Sequence, residues 1–345
     1  MTKALAYYLT QFHPVKRNDR WWGEGFTEWT NVKRARPLFD GHEQPRVPTE
    51  LGYYDLTDPS VMAAQMQLAS DHGLAGFCYY MYWFGKDRTI LERPLLQMLR
   101  NKSLDFPFCL FWANMSWART WQGRHSDVLE EQTYVAEEAE AYADYLALFF
   151  ADDRYIRVNG APVFVIYQPR ALVDRPDFFE AILAALKERG YPKLHLIVSM
   201  IPRMHVLRSY EPFKDAIGLD FSSHINNRYK QSRGGVIKID YAEVVAAETA
   251  TGPNRKFYRS VMTGFDESPR RGDRGFVMHG ATADLYQKWL AAAYAATNAM
   301  FNEEERLLFI FAWNEWGESA YLEPDQLYGR SLLEATKRVL GTGSN

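Results

Sequence analysis

Two glutamates three residues apart, Glu315 and Glu318, lie in the segment FAWNEWGESAYLEP that runs from Phe311 to Pro324. Trp313, Asn314 and Trp316 are interleaved with them. Cleavage of a glycosidic bond passes through an oxocarbenium-like transition state. It needs one group to protonate the leaving oxygen and another to work on the opposite face. Two carboxylates held close can supply both, because their repulsion raises one pKa and leaves one acid and one base. A spacing of three residues puts both side chains on one side of a helical turn. The competing reading is a backbone cap or an ion pair with an arginine. Glu323, just before Pro324, reads as a loop-shaping residue.

The elements that must position this pair follow from the apolar pattern. Short β-rich runs begin near Leu5, Gly76, Phe106, Ala161, Leu194, Ala216, Lys256 and Leu307, and a helical pattern follows each. The runs are continuously apolar, as in a parallel sheet covered on its outer face. Eight strand–helix units predict one α/β domain, a single (β/α)8 TIM barrel spanning residues 1–345, with a long first βα loop between Phe12 and Asp58. That loop reads as too rich in Trp, Gly and Pro for a helix and too aromatic for disorder. Active sites of such barrels sit at the C-terminal ends of the strands.

This rule turns strand ends into candidates. The first strand brings Tyr8, with His13 beyond it, and the loop brings Trp22, Glu28 and Trp29. The second brings Tyr80 and Trp83, the third Asn114 with Trp117 in its loop, and the fourth Tyr167. The sixth brings His224, the seventh Asp266, and the eighth Trp313, Asn314 and Trp316 beside the two glutamates. Aromatic faces beside polar groups suit sugars, which have an apolar C–H face and a hydroxyl rim. Several alternatives stay open at single residues. Asp266 either binds hydroxyls or caps a turn. His224 is a ligand contact or a structural hydrogen-bonder, His13 a contact or a turn-shaping residue, Glu28 a third acid or structural, and Trp316 a wall or packing.

Composition narrows the function classes. Of 345 residues, 10 are Trp, 21 Tyr and 21 Phe, many of them beside Gly, Asn, Asp and Glu. The formal charge is -3, so no basic excess points to nucleic acid or an anionic membrane surface. No apolar run is long enough to span a bilayer, and no secretory leader is evident, so a cytoplasmic location is expected. Cys78 and Cys109 each lie in an apolar run and read as reduced packing residues. There is no spacing for a metal site, no G-x-G-x-x-G turn after the first strand and no G-x-S-x-G elbow, so no cofactor is expected. The expected partner is a polysaccharide or oligosaccharide substrate; the pattern leaves the oligomeric state open.

Four motifs in order, FHPVKRNDRWWGEGFTEWTNV, GFCYYMYWFGKDRTILERPL, FWANMSWARTW and FAWNEWGESAYLEPD, resemble the WbsX family. Its members are described as glycosyltransferases of bacterial polysaccharide loci and as glycoside hydrolase family 99-like. The similarity to family 99 endo-α-mannosidases rests on the last motif, in which Gly317 stands where family 99 has His. That resemblance implies a retaining mechanism through a 1,2-anhydro sugar. Carried over, Glu315 is the base on the 2-hydroxyl and Glu318 the acid/base at the leaving group. The activities in view are therefore an endo-acting hydrolase of an α-linked bacterial glycan, a glycosyltransferase, and a non-catalytic carbohydrate-binding barrel.

Overall fold

The computed structural model describes residues 1–199, 207–220, 235–250 and 256–341. Eight strands form its centre: β1 (Lys3–Tyr8), β2 (Gly76–Trp83), β3 (Phe108–Trp112), β4 (Ala161–Ile166), β5 (His195–Ser199), β6 (Ile217–Asp220), β7 (Phe257–Met262) and β8 (Leu307–Phe311). Each pairs in parallel with the next in chain order. β8 then pairs with β1, Leu308 opposite Ala4 and Ile310 opposite Ala6, so the sheet closes. The expected (β/α)8 barrel is therefore the fold, and its closure leaves no open edge among these strands.

Helices follow seven of these strands in the positions that the apolar pattern predicts; the one expected after β5 lies partly outside the described residues. They are α3 (Pro59–Asp71), α4 (Arg93–Arg100), α5 (Ala139–Phe150), α7 (Pro176–Glu188) with the short α6 (Pro169–Val173) ahead of it, α8 (Tyr241–Ala250), α10 (Ala283–Met300) and α11 (Ser331–Gly341). Their ends carry local stop and start signals. Asp58 accepts the Ser60 N–H at 2.9 Å with Pro59 in the first turn of α3, and Thr282 accepts the Leu285 N–H at 3.2 Å ahead of α10. The first loop departs from expectation. It holds two short helices, α1 (Lys16–Trp22) and α2 (Glu28–Arg34), where the sequence reads as irregular. Both are held by tertiary packing, which propensity over seven residues does not foresee.

Side-chain parity along the strands decides what faces inward. Tyr7 turns into the barrel, where its ring meets those of Tyr80, Phe111, Phe309 and Phe311. Tyr8, its neighbour, turns outward and donates its hydroxyl to Gln65 of α3 at 2.5 Å. In β2, Tyr80 and Tyr82 share a face with stacked rings 6.3 Å apart. Trp83 takes the other face and stacks on Tyr142 of α5 at 4.2 Å. Tyr8 and Trp83, read from sequence as sugar contacts, thus belong to the layer between sheet and helices. Cys78 and Cys109 are buried and reduced, directly opposite each other on β2 and β3.

Two asparagines prolong the closure past the ends of the ladder. Asn314 accepts the Leu9 N–H at 2.7 Å and donates to the Leu9 carbonyl at 3.1 Å, joining the ends of β8 and β1. Asn114 does the same to Gln168, at 2.7 and 2.9 Å, joining the ends of β3 and β4. Both were candidate sugar contacts, but their amides are occupied by backbone. A carboxamide imitates one peptide unit here, letting the chains diverge into loops without stranding buried backbone groups. Asn314→Ala and Asn114→Ala are each expected to lower stability by about 1–3 kcal/mol, read from urea unfolding; an unchanged midpoint would remove the stapling role.

Candidate active site

The eighth loop is a tight hairpin. Asn314–Glu315 pairs antiparallel with Ala320–Tyr321, and a single 3-10 turn, Trp316–Glu318, fills its tip. Ser319 takes a left-handed backbone, φ +48°, to reverse the chain. Side chains three apart eclipse on a 3-10 turn, so Glu315 and Glu318 project together. The seventh loop brings α9 (Ser268–Arg271), whose start is fixed by Asp266 accepting the Ser268 N–H at 2.8 Å. The first loop brings Glu28 at the head of α2.

These three loops meet at one guanidinium. Arg270 donates from Nη2 to Glu315 at 2.5 Å, from Nη1 to Glu318 at 2.6 Å and from Nε to Glu28 at 3.1 Å. Glu28 is fully buried, Arg270 and Glu315 nearly so, and Glu318 keeps 20% of its side chain exposed. The outermost acid is therefore Glu318. Both expectations for the glutamates hold at once: they form a close pair, and they are ion-paired to an arginine. The face of Arg270 lies 5.3 Å from the ring of Trp121.

Gly317 is explained by the same contact. A Cβ there would stand 2.3 Å from a Glu28 carboxylate oxygen and 2.7 Å from Arg270 Nε. The absence of a side chain at 317 is what lets the fork of Arg270 lie flat against the turn.

The charge balance is one cation against three carboxylates. Burial pushes Glu315 up to about 8; Arg270 opposes this, and the charges of Glu318 and Glu28 add to it. Burial also raises Glu318, again against Arg270 and with Glu267 and Glu28 adding. Burial and mutual repulsion thus favour the protonated form at this pair, against the pull of Arg270.

Around this centre the first and third loops build an aromatic wall. The third loop is a hairpin, Trp117–Arg119 against Arg124–Glu130, with Trp121 in its turn. Trp121 stacks on Trp22 at 5.0 Å, Arg119 lies over Trp22, and Trp21 meets Trp117 edge-on at 6.1 Å. Trp22, Trp117 and Tyr80 are half-buried, and Tyr167 is exposed, its ring against Phe111. These four candidates stand on the same side of the barrel as the acids; the charges of Glu315 and Glu318 reach Tyr80, and that of Glu318 reaches Tyr167.

Other candidates play a different part. Trp316 is fully buried, stacked on Tyr321 at 3.7 Å, and donates to Glu323 at 2.6 Å. Trp29 packs against Trp316, Phe12 and Tyr54, and Trp313 against Phe77. All three indoles are packing, as their burial leaves no face for a ligand. His13 is buried, which lowers its pKa. Asp266 has both oxygens engaged, by His42 at 2.8 Å, Gln44 at 2.5 Å and the Ser268 N–H. Burial raises its pKa, but those hydrogen bonds outweigh burial and leave it lowered. His224 lies outside the described residues. Glu323, expected to shape the loop, is a buried acceptor for Tyr54, Gln65 and Trp316, and burial lifts it to about 7.

Arg270 and Trp121 are site residues that the sequence reading missed. Arg270 lies in SPRRGDRG, a charged run with the look of a solvated loop, and no local signal separates it from its neighbours. Among the described residues, no group of three or more His, Cys, Asp or Glu is arranged to hold a metal ion, and no helix is long and apolar enough to cross a membrane.

Solved structures share this closed parallel barrel. The solved structure of the glycoside hydrolase family 99 endo-α-mannosidase from Bacteroides thetaiotaomicron matches it with a TM-score of 0.60, over 98% of this chain and 96% of that one, at 13% identity. A structure described as a glycoside hydrolase-like protein matches at 0.56, over 98% and 94%, at 12% identity. By sequence the chain belongs to the family described as Glycosyltransferase WbsX, whose model matches residues 4–336. It is 36% identical to the "Uncharacterized protein WxcX" of two strains of Xanthomonas campestris pv. campestris, over 97% of this chain and 49% of those proteins. The chain thus spans about half the length of the curated relatives it matches.

Two outcomes test the geometry of the cluster. Gly317→Ala must part Arg270 from Glu28 and is expected to cost about 1–3 kcal/mol in urea unfolding; full stability would show slack in the cradle. Glu315 is raised in the folded state, so its stabilising share is present below its ordinary value and is lost as pH rises through about 8. The stability of the wild-type protein relative to Glu315→Gln should therefore fall between about pH 5 and 8. A pH-independent difference would contradict the raised acid.

Proposed function

We propose that this chain is a carbohydrate-active enzyme whose active site lies at the C-terminal ends of the barrel strands and whose reaction is glycosidic cleavage. The observation that carries this reading is the Glu315–Glu318 pair on adjacent nitrogens of one buried guanidinium. The pair stands at the barrel mouth with one member partly open to solvent. A pair that keeps one proton at neutral pH meets the requirement of one acid and one base.

The roles follow the similarity to family 99. Glu315 takes the proton of the sugar 2-hydroxyl as that oxygen closes on C1. Glu318 gives its proton to the departing glycosidic oxygen. Water then opens the 1,2-anhydro ring at C1, losing its proton to Glu318 while O2 regains one from Glu315. Two inversions at C1 retain the configuration. The deeper residue meets the ring hydroxyl and the outer one meets the leaving group, which agrees with the exposure of Glu318. The half-buried rings of Trp22, Trp117 and Tyr80, with Tyr167 at the surface, suit several sugar units. The substrate is accordingly an α-linked bacterial polysaccharide or oligosaccharide cut internally.

The family description supports a second reading, a glycosyltransferase of polysaccharide assembly. The two readings separate on incubation with α-linked glycans alone, and with nucleotide sugars plus acceptors. New reducing ends without nucleotide support the hydrolase; nucleotide release coupled to chain growth overturns it. Glu318→Gln is expected to lower kcat on unactivated substrates by about 10²–10⁴-fold with sugar binding retained. Full activity in that variant would sink the assignment. Activity should also fall toward alkaline pH, where Glu318, its pKa raised by burial, gives up the proton that the leaving group needs. A rate that climbs across that range would rule out the acid.

A further inference from the structure

Arg270 is the least expected member of the cluster. Nothing in the family-derived roles gives it a task, yet it touches both proposed catalytic acids and is 8% exposed. An arginine fork has fixed geometry, so its orientation sets where its partners sit. Here the orientation is fixed from two further sides. Glu28 holds Nε from α2, and the ring of Trp121 lies against the guanidinium. Gly317 leaves the room for both.

We infer that Arg270 is a positioning residue that holds Glu315 and Glu318 so that they share one proton, with Glu28 as its buried counter-charge. This rests on the reading of the pair as catalytic. Each nitrogen of the fork engages one oxygen, Oε1, of each acid, so the second oxygen of each is the one left to meet a substrate. Arg270 favours the ionised form of both acids; Glu28 favours the protonated form, directly by its charge and again by drawing on Arg270. The cluster carries three acids on one cation, which keeps the pair at one proton instead of none.

Among the described residues, the other charged or titratable groups that act on the pair are Glu267 and Arg271 of the seventh loop, Tyr80 and Tyr82 of β2, and Tyr167 beyond β4. Glu267 and Arg271 pair with each other at 3.1 Å and largely offset one another. Tyr80 and Tyr82 are held neutral by burial, and the pKa of Tyr167 at the surface is raised as well. Arg270 and Glu28 are therefore the two charges that set the balance, and they act with opposite signs.

Opposite signs make the test. With 13C-labelled glutamate carboxyls, the titrations of Glu315 and Glu318 are followed by NMR in the wild-type protein, Arg270→Lys and Glu28→Gln, with signals assigned from Glu315→Gln and Glu318→Gln. Lysine keeps the charge but cannot fork to both acids, so the pair should titrate about one pH unit or more higher. Glu28→Gln keeps an acceptor for Nε and removes a negative charge, so the pair should titrate lower. Should Arg270→Lys fail to fold, the downward shift in Glu28→Gln alone decides. Unmoved titrations, or shifts of the same sign in both variants, would overturn the inference and leave Arg270 a structural ion pair. The readout needs no substrate: shifts of opposite sign in a protein that cleaves no glycan would uphold the shared proton and remove the hydrolase reading.

Discussion

One buried guanidinium facing three carboxylates is the constraint on which the site depends. Each carboxylate arrives on a different stretch of chain or a different position of one turn, and none is placed without the others. Taking an arginine and three acids out of water is costly unless every nitrogen finds a partner. The fork of Arg270 meets that condition by pointing its three donor nitrogens at three acids. The cost is met by packing elsewhere: an aromatic barrel interior, the indole of Trp121 on the guanidinium, and the layer of Trp29, Trp316 and Tyr321 behind the turn.

That arrangement also accounts for the residues around it. Gly317 is glycine because a Cβ would occupy the space between Glu28 and Arg270. Asp266 is not free to bind a sugar because it holds the start of the short helix that presents Arg270. Glu323, far from being incidental, ties Trp316 to Tyr54 and Gln65, and so links the turn carrying Glu315 and Glu318 to the first loop and α3. The asparagines at the barrel rim do the same for the backbone. Much of what reads as a sugar-binding residue in this chain supports the site from behind.

The structure separates fold from chemistry in a useful way. The barrel is shared with solved structures at 12–13% identity, a likeness that shows the fold and specifies no reaction. The WbsX family holds for nearly the whole chain. Between those two levels, the acid pair and its arginine are what favour a particular chemistry, since a binding-only barrel has no need of two acids held together at its mouth.

Several features were legible in the amino-acid sequence alone. Eight continuously apolar runs with helices between them favour a closed parallel barrel over an open sheet, because each run must bury both faces and that number of strand–helix units matches the barrel. The position of Glu315 and Glu318 after the last run determines that they reach the mouth. Boundaries were less legible, since Asn114 and Asn314 continue the strand pattern while leaving the ladder. Tertiary structure alone decided which way each side chain turned: Tyr7 inward and Tyr8 outward, Tyr82 inward and Trp83 outward. A one-residue step reverses the face, and composition does not reveal the step. It alone also found Arg270, 45 residues from Glu315 in sequence and 2.5 Å away in space. An arginine in a charged loop is indistinguishable from its neighbours until folding shows which carboxylates it must neutralise.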